Sequence, residues 1–132
     1  MVDRSLIVMG DRYVVRWMRY SNAFPAQDYL ENLGADYPRV EARLLALATT
    51  MAEQGRLPSK SHGHFLEAPF EEIFEFKPFS HRFFGFFDGQ MLYLTNGAPK
   101  RNQKAQNADY VAAKRMQSAF FARTHSKRGE KK

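Results

Sequence analysis

The sequence predicts an α+β fold in which an N-terminal αα-hairpin packs on a small antiparallel β-sheet, a meander, and a C-terminal helix follows. Three short runs between residues 71 and 97 are rich in aromatic and β-branched residues and are bounded by turn residues. Apolar residues recur at helical spacing before and after these runs. The chain has 132 residues, 44% of them hydrophobic, which suffices for one ordinary core. We therefore expect one domain over residues 1–122 and a basic, disordered tail over 123–132.

The positive charge is concentrated near the C-terminus. The formal net charge is +6, and residues 97–132 hold ten lysines and arginines against Asp109 and Glu130. Such a segment attracts phosphate polyanions or an acidic protein. The absence of cysteine excludes disulfides, thiolate metal sites and cysteine nucleophiles. No apolar run approaches the ~20 residues that span a bilayer, and no secretory signal is recognisable, so we expect a cytoplasmic protein without a membrane partner.

The N-terminal part predicts strands followed by two helices. Arg12–Tyr20 is dense in β-formers and reads as a strand, with Leu6–Met9 pairing beside it in a short hairpin. Pro25 suits the first turn of a helix over about residues 26–33. A second helix, capped by Asp36, has apolar residues at helical spacing. These residues are Val40, Leu44, Leu47 and Met51, and Gly55 ends the helix. The short connection predicts an αα-hairpin that covers one face of the sheet.

Residues 56–68 read as a loop that contains a His-x-His pair, His62 and His64. Two histidines at this spacing can bind a metal, but a zinc site needs a third and usually a fourth ligand. No other histidine or cysteine is well placed to supply them. We therefore expect polar loop residues and no cofactor.

The meander carries the residue that needs the most explanation, Arg82. Asp88-Gly89 is a strong hairpin signal between two of its strands. Because side chains alternate along a strand, Arg82 and Phe84 share one face and His81 points to the other. An arginine in a phenylalanine-rich strand needs a partner or an open cleft. Glu75 on the neighbouring strand is one partner, a phosphate is another, and both can bind together.

Two interpretations of the phenylalanine-rich face remain open. An aromatic sheet face beside cations can stack the bases of single-stranded RNA. Alternatively, it is a core covered by the last helix, over residues 105–122. That helix has apolar residues on one face, namely Ala108, Ala112, Met116, Ala119 and Phe120.

Taken in order, these motifs resemble the RelE/ParE superfamily of bacterial toxins, in its phage-derived HigB-like branch. Ile73–Lys77 is similar to the family's Leu-aromatic-Glu-Leu-Arg strand, and His81–Phe83 to its Tyr-Arg-apolar strand. Lys100–Lys104 is similar to its Lys-Lys-Thr-Gln-Lys loop. The resemblance covers about residues 12–122 and implies a RelE-like fold.

The sequence departs from the family pattern at two positions. Lys77 replaces an arginine and loses that residue's bidentate geometry, and His81 stands where an aromatic is common.

The resemblance implies the toxin of a type II toxin–antitoxin system, a ribosome-dependent endoribonuclease that cuts mRNA. Its partners would be mRNA on the ribosome and a cognate antitoxin, a small helix-turn-helix protein. A ribose 2′-OH would attack the adjacent phosphate, which requires cations around the phosphate oxygens, a base and an acid. The implied catalytic residues are Arg82, Lys77, Lys100, Lys104 and His81. The implied substrate-binding residues are Arg101, Gln103, Phe84 and Tyr110, with Asp109 at the rim.

Three other functions fit the same fold. A ParE-like toxin would bind DNA gyrase, although the cationic loop suits a phosphate better. A non-catalytic RNA-binding or regulatory module would use the cations without chemistry. A degenerate phage relic would still bind its antitoxin.

Overall fold

The computed structural model describes residues 4–130, with side chains described through residue 124. Six strands and three helices lie within these residues. The strands are β1 (Leu6–Met9), β2 (Val14–Trp17), β3 (Gly63–Phe65), β4 (Ile73–Phe76), β5 (His81–Asp88) and β6 (Met91–Pro99). The helices are α1 (Pro25–Glu31), α2 (Tyr37–Gln54) and α3 (Gln103–Glu130), with a short 3₁₀ turn at Gly34–Asp36. Within residues 4–130, no helix is long and apolar enough to cross a bilayer.

The strands form one mixed sheet in the order β1-β2-β6-β5-β4-β3. The predicted meander is confirmed, because β4, β5 and β6 pair antiparallel in succession, and so is the β1–β2 hairpin. The sheet is larger than predicted and not purely antiparallel. β2 pairs with β6 in parallel, through a long connection that contains α1, α2 and three other strands of the sheet.

One strand lies where a loop was predicted. β3 pairs antiparallel with β4 and places Gly63 opposite Phe76. A Cβ on Gly63 would lie 2.6 Å from the Glu75 carbonyl oxygen, so close approach of the two backbones requires glycine here. Three residues without apolar alternation give no recognisable strand pattern, which is why the sequence did not predict this strand.

The helix ends follow the sequence signals. Pro25 occupies the first turn of α1, and α2 ends at Gly55, which has a left-handed φ of 79°. Asp36 stands at the N-cap of α2, but its side chain makes no capping hydrogen bond. The predicted αα-hairpin is not confirmed as a unit, because α1 packs mainly on β6 and α2 on β1.

Helices cover both faces of the sheet. Phe76, Phe83 and Leu92 are buried on the side of α1 and α2. On the other side, Phe84 and Phe86 are completely buried under α3. An open aromatic face for base stacking is therefore wrong, and the alternative of a core covered by the last helix is confirmed.

α3 faces the sheet with only some of the predicted residues. Met116 is buried and Phe120 packs against the same cluster, as predicted, whereas Ala108 and Ala119 are exposed. Tyr110 and Ala113 are buried in their place. The alanine-rich sequence has small residues on several faces, so its pattern does not fix the rotation of the helix. α3 also continues to Glu130, past the expected end at 122, and residues 131–132 of the predicted tail lie outside the described residues.

Candidate functional site

A buried ion pair between Glu75 and Arg82 forms the centre of the site. The strand pairing places Glu75 opposite Phe84 on β5 and opposite His64 on β3. Arg82 Nε lies 4.0 Å from Glu75 Oε2, and the two side chains are only 10% and 6% exposed. The ion pair predicted between Arg82 and Glu75 is therefore present. The alternation of side chains along β5, on which that prediction was based, is correct.

Two backbone carbonyls fix the guanidinium of Arg82. Its Nη1 donates to the carbonyl oxygen of Phe79 at 2.9 Å and to that of His81 at 2.8 Å. Phe79 has a left-handed φ of 59°, which is uncommon for a bulky residue and turns its carbonyl group toward Arg82. The β4–β5 turn thus holds Arg82 in place.

His64 contacts Glu75 from the partly exposed edge of the sheet. Its Nε2 lies 3.7 Å from Glu75 Oε1, and its side chain is 30% exposed. Nδ1 lies 2.6 Å from the carbonyl oxygen of Phe65. Because a carbonyl oxygen only accepts, Nδ1 carries a proton, and a second proton on Nε2 would face Glu75. His64 is thus suited to give a proton to a group that lies beside Glu75.

Burial shifts Glu75 toward its neutral form. It raises the pKa of Glu75, and the nearby charges of Lys77, Arg82 and His64 oppose this increase. Desolvation is the larger effect. A carboxylate with a raised pKa is a better general base near neutral pH than an exposed glutamate.

Lys77 brings a group of cations to this carboxylate. Burial lowers the pKa of Lys77, the charge of Glu75 raises it, and the charges of Arg82, Lys100 and Lys60 lower it. Arg82, Lys100 and Lys60 therefore lie close enough to Lys77 to affect its pKa. Three of these four residues, Lys77, Arg82 and Lys100, were predicted, and Lys60 was missed because its loop gave no signal of where it folds.

Tyr110 joins the site from α3. Its ring packs against Phe84 with the ring centroids 5.6 Å apart. Burial raises the pKa of Tyr110, and the charge of Glu75 raises it further. With His64, Gln103 and other residues, Tyr110 lines a groove of about 220 Å³. The predicted substrate-binding residues Gln103 and Tyr110 therefore lie beside His64, in space that a substrate can enter.

Arg101 orders the loop that leads into α3. Its Nε donates to Asp109 Oδ2 at 3.1 Å, and its backbone N–H donates to Gln106 Oε1 at 2.8 Å. Gln106 in turn donates to Asp109 at 2.7 Å. Sequence reasoning missed Gln106, which is buried and holds both residues. Lys104 lies exposed in the first turn of α3.

Two predicted site residues do not fit their predicted roles. His81 lies on the α1 and α2 side of the sheet, away from Arg82, as strand alternation predicted. Its Nε2 donates to Asp36 at 3.2 Å, and its Nδ1 accepts from the Tyr29 hydroxyl at 2.6 Å. Phe84 is completely buried beneath α3, so its ring has no exposed face on which a base can stack.

The His-x-His pair does not form a metal site in the described part of the chain. No group of three His, Cys, Asp or Glu side chains there is arranged to hold a metal ion. His64 instead belongs to the Glu75 cluster, which the sequence did not predict, because the pairing of β3 with β4 creates that contact.

Comparison with protein-family models and with curated proteins finds no match to this chain. The RelE/ParE resemblance therefore rests on the motifs and on the order of the elements.

Proposed function

We propose that this protein is a type II toxin that cuts mRNA on the ribosome. The observation that supports this best is the Glu75 carboxylate, which lies between His64 and Arg82 with its pKa raised by burial. This set combines a base, an acid and phosphate-binding cations, the three groups that 2′-OH attack requires.

Each group has a role in one balanced reaction. Glu75 takes the proton from the ribose 2′-OH, and that oxygen attacks the adjacent phosphorus. The bond to the 5′ oxygen breaks, and this oxygen takes a proton from His64. Arg82, Lys77 and Lys100 stabilise the negative charge that develops on the phosphate oxygens. The products are a 2′,3′-cyclic phosphate and a 5′-hydroxyl.

The order of the elements and the charge support the remainder of the proposal. A helical segment, a meander, a Lys-Arg-x-Gln-Lys loop and a basic helix follow one another as the resemblance implies. A net charge of +6 favours association with ribosomal and messenger RNA. A cognate antitoxin, a small helix-turn-helix protein, would bind the toxin and hold it inactive.

The test compares two glutamine variants in a translation reaction with mapped RNA ends. Glu75→Gln should lower the cleavage rate by about 10²-fold or more, the usual contribution of a general base. Glu72→Gln makes the same charge change at an exposed residue that accepts from Lys114 at 2.8 Å, and should leave cleavage unchanged. Cleavage by Glu75→Gln at the wild-type rate would rule out this site, and intact mRNA with the wild-type protein would rule out the activity.

A non-catalytic RNA-binding module is the second candidate, and one observation favours it. The guanidinium of Arg82 is already bound by Glu75 and two carbonyls and is 10% exposed, so a phosphate must join or displace existing contacts. In this case the wild-type protein and Glu75→Gln would bind RNA equally, and neither would produce a cyclic phosphate end. Arrested growth with intact RNA and damaged DNA would instead favour a gyrase inhibitor.

A further inference from the structure

A second basic surface lies at the other end of α3. Two adjoining cavities, of about 930 and 580 Å³, share Arg19, Phe120 and Arg123 in their walls. Arg4, Arg16 and Tyr93 also line the larger one. We call this surface the arginine groove. It is separate from the Glu75–Arg82 cluster, which lies beside the first turns of α3.

Local structure sets the positions of the arginines. The parallel pairing of β2 with β6 places Arg16 opposite Tyr93, and Arg16 Nη1 donates to Ser5 Oγ at 3.0 Å. Arg19 Nη2 donates to Asn22 Oδ1 at 3.2 Å. Asn22 has a left-handed φ of 63°, within a tight turn closed by a bridge between Tyr20 and Ala23. The groove is therefore built on a strand, a fixed turn and a helix.

The groove combines positive charge with aromatic surface. Among the residues that the structure describes, its two cavities are lined by four arginines and by no aspartate or glutamate. By contrast, a cavity at the β5–β6 turn places Asp11 beside Arg12 and Arg56. Guanidinium groups bind phosphates through paired hydrogen bonds and also stack on flat rings.

Partly exposed rings lie among these cations. The centroids of Tyr93 and Phe120 are 4.8 Å apart, and both side chains are half-buried. Single-stranded nucleic acid sites combine a cationic groove with aromatic side chains in this way. An acidic peptide would use the charge but would gain less from the combination of guanidinium and ring.

We infer that the arginine groove binds single-stranded RNA that flanks the segment at the Glu75–Arg82 site. The choice of RNA rests on the proposed function. Ala98, which pairs with Arg82, and Tyr93 are five residues apart along β6. At roughly 3.3 Å per residue these positions are about 17 Å apart. Even at the stacked spacing of roughly 3.4 Å per nucleotide, a strand must continue for at least about five nucleotides beyond the site to reach the groove, because α3 covers the direct path along β6.

The test measures RNA binding by the full chain as a function of KCl concentration, using fluorescein-labelled RNAs of about 4 and about 16 nucleotides. Arg19→Gln/Arg123→Gln removes two exposed groove cations. Each phosphate contact on single strands contributes about 0.7 to the slope of log K against log salt, so the slope for the longer RNA should fall by about 1.4. The shorter RNA cannot occupy the groove and the Glu75–Arg82 site at once, so its slope should fall by less than that of the longer RNA. Arg12→Gln/Arg56→Gln removes the same charge elsewhere and should leave both slopes unchanged.

Two outcomes overturn the inference. One is an equal slope for the longer RNA in the wild-type protein and the groove variant. The other is binding of polyglutamate, lost in the groove variant, while RNA binding is unaffected, which would assign the groove to an acidic protein partner. Circular dichroism on both double variants checks that they fold.

The binding assay is independent of cleavage. Repeating it in Glu75→Gln removes the proposed base but leaves the groove intact. A slope change without any cleavage by the wild-type protein would refute the proposed ribonuclease and support the groove. Cleavage by the wild-type protein, together with an equal slope in the groove variant, would support the proposed ribonuclease and refute the groove.

Discussion

Removing Arg82 should destabilise the protein, and the loss should depend on pH. Arg82→Met keeps most of the buried volume but removes the charge next to Glu75 and the donor to two carbonyls. The two hydrogen bonds are worth about 1 kcal/mol each. The gross attraction of an ion pair at 4.0 Å is about 4 kcal/mol at an effective dielectric constant of about 20, and the desolvation of the two charges offsets part of it. Breaking a buried pair therefore usually costs about 3–5 kcal/mol in all.

The pH dependence follows from the protonation of Glu75. Its folded-state pKa is already above its ordinary value because of burial, so its contribution to stability is greatest below the unfolded-state pKa. This contribution is lost as pH rises through the folded-state pKa. Without Arg82 the folded-state pKa of Glu75 rises further, so in Arg82→Met this loss of stability continues to higher pH. Arg82→Met should therefore cost about 2 kcal/mol well below the ordinary pKa of glutamate, where Glu75 is protonated in both proteins, and about 3–5 kcal/mol near pH 8.

Urea unfolding followed by fluorescence at several pH values measures this difference. The curves for the wild-type protein and Arg82→Met should converge as pH falls and separate as it rises. A cost below about 1 kcal/mol at the highest pH, or a cost that does not change with pH, would show that the Glu75–Arg82 contact is not the interaction described here. Lys114→Met, which removes an exposed partner of Glu72, provides the control and should change stability little.

Three further predictions concern packing and catalysis. Gly97→Ala would place a Cβ 2.6 Å from Tyr29 Cδ2, so the free energy of unfolding should fall by about 1–3 kcal/mol. The midpoint of urea unfolding should fall with it, and an unchanged midpoint would contradict this contact. Phe83→Ala should cost about 3–5 kcal/mol because Phe83 is completely buried, whereas Phe65→Ala should cost roughly 1 kcal/mol because Phe65 is 51% exposed. Thermal unfolding compares the two variants, and equal losses of stability would show that burial does not decide the cost. The cleavage rate should rise with pH through a pKa above the ordinary value for glutamate, and Glu75→Gln should lose this rise in a pH–rate profile.

The sequence predicted those parts of the fold that depend on local pattern. Asp88-Gly89 marked the β5–β6 hairpin, and Pro25 and Gly55 marked a helix start and a helix end. It did not predict the parallel pairing of β2 with β6, because the register of residues some 77 positions apart leaves no local signal. β3 was missed for a related reason, since its three residues become a strand only through pairing with β4.

The same distinction applies to the site. Strand alternation was enough to place Arg82 and His81 on opposite faces and to pair Arg82 with Glu75. His64 could not be assigned, because it reaches Glu75 through a strand that the sequence did not indicate. The predicted substrate-binding role of Phe84 was wrong, because Phe84 is buried under α3. The amphipathic pattern of a helix does not say which face of a sheet it will cover.

Replacing both Glu75 and Arg82 should separate the effect of the ion pair on stability from its effect on mRNA cleavage. The pKa of Glu75 is raised even beside Arg82, so the nearby cations do not fully offset the desolvation of the carboxylate. Buried ion pairs replaced by apolar residues of similar volume often leave stability unchanged or raise it by about 1–4 kcal/mol. Glu75→Leu/Arg82→Met also lacks the two hydrogen bonds that Arg82 donates, so near pH 8 its stability in urea unfolding should lie within about 2 kcal/mol of the wild-type protein. It should be clearly more stable than Arg82→Met at that pH. It should also cut no mRNA. A double variant as unstable as Arg82→Met near pH 8 would mean that the ion pair itself stabilises the fold. That result would contradict a role of the pair in catalysis alone.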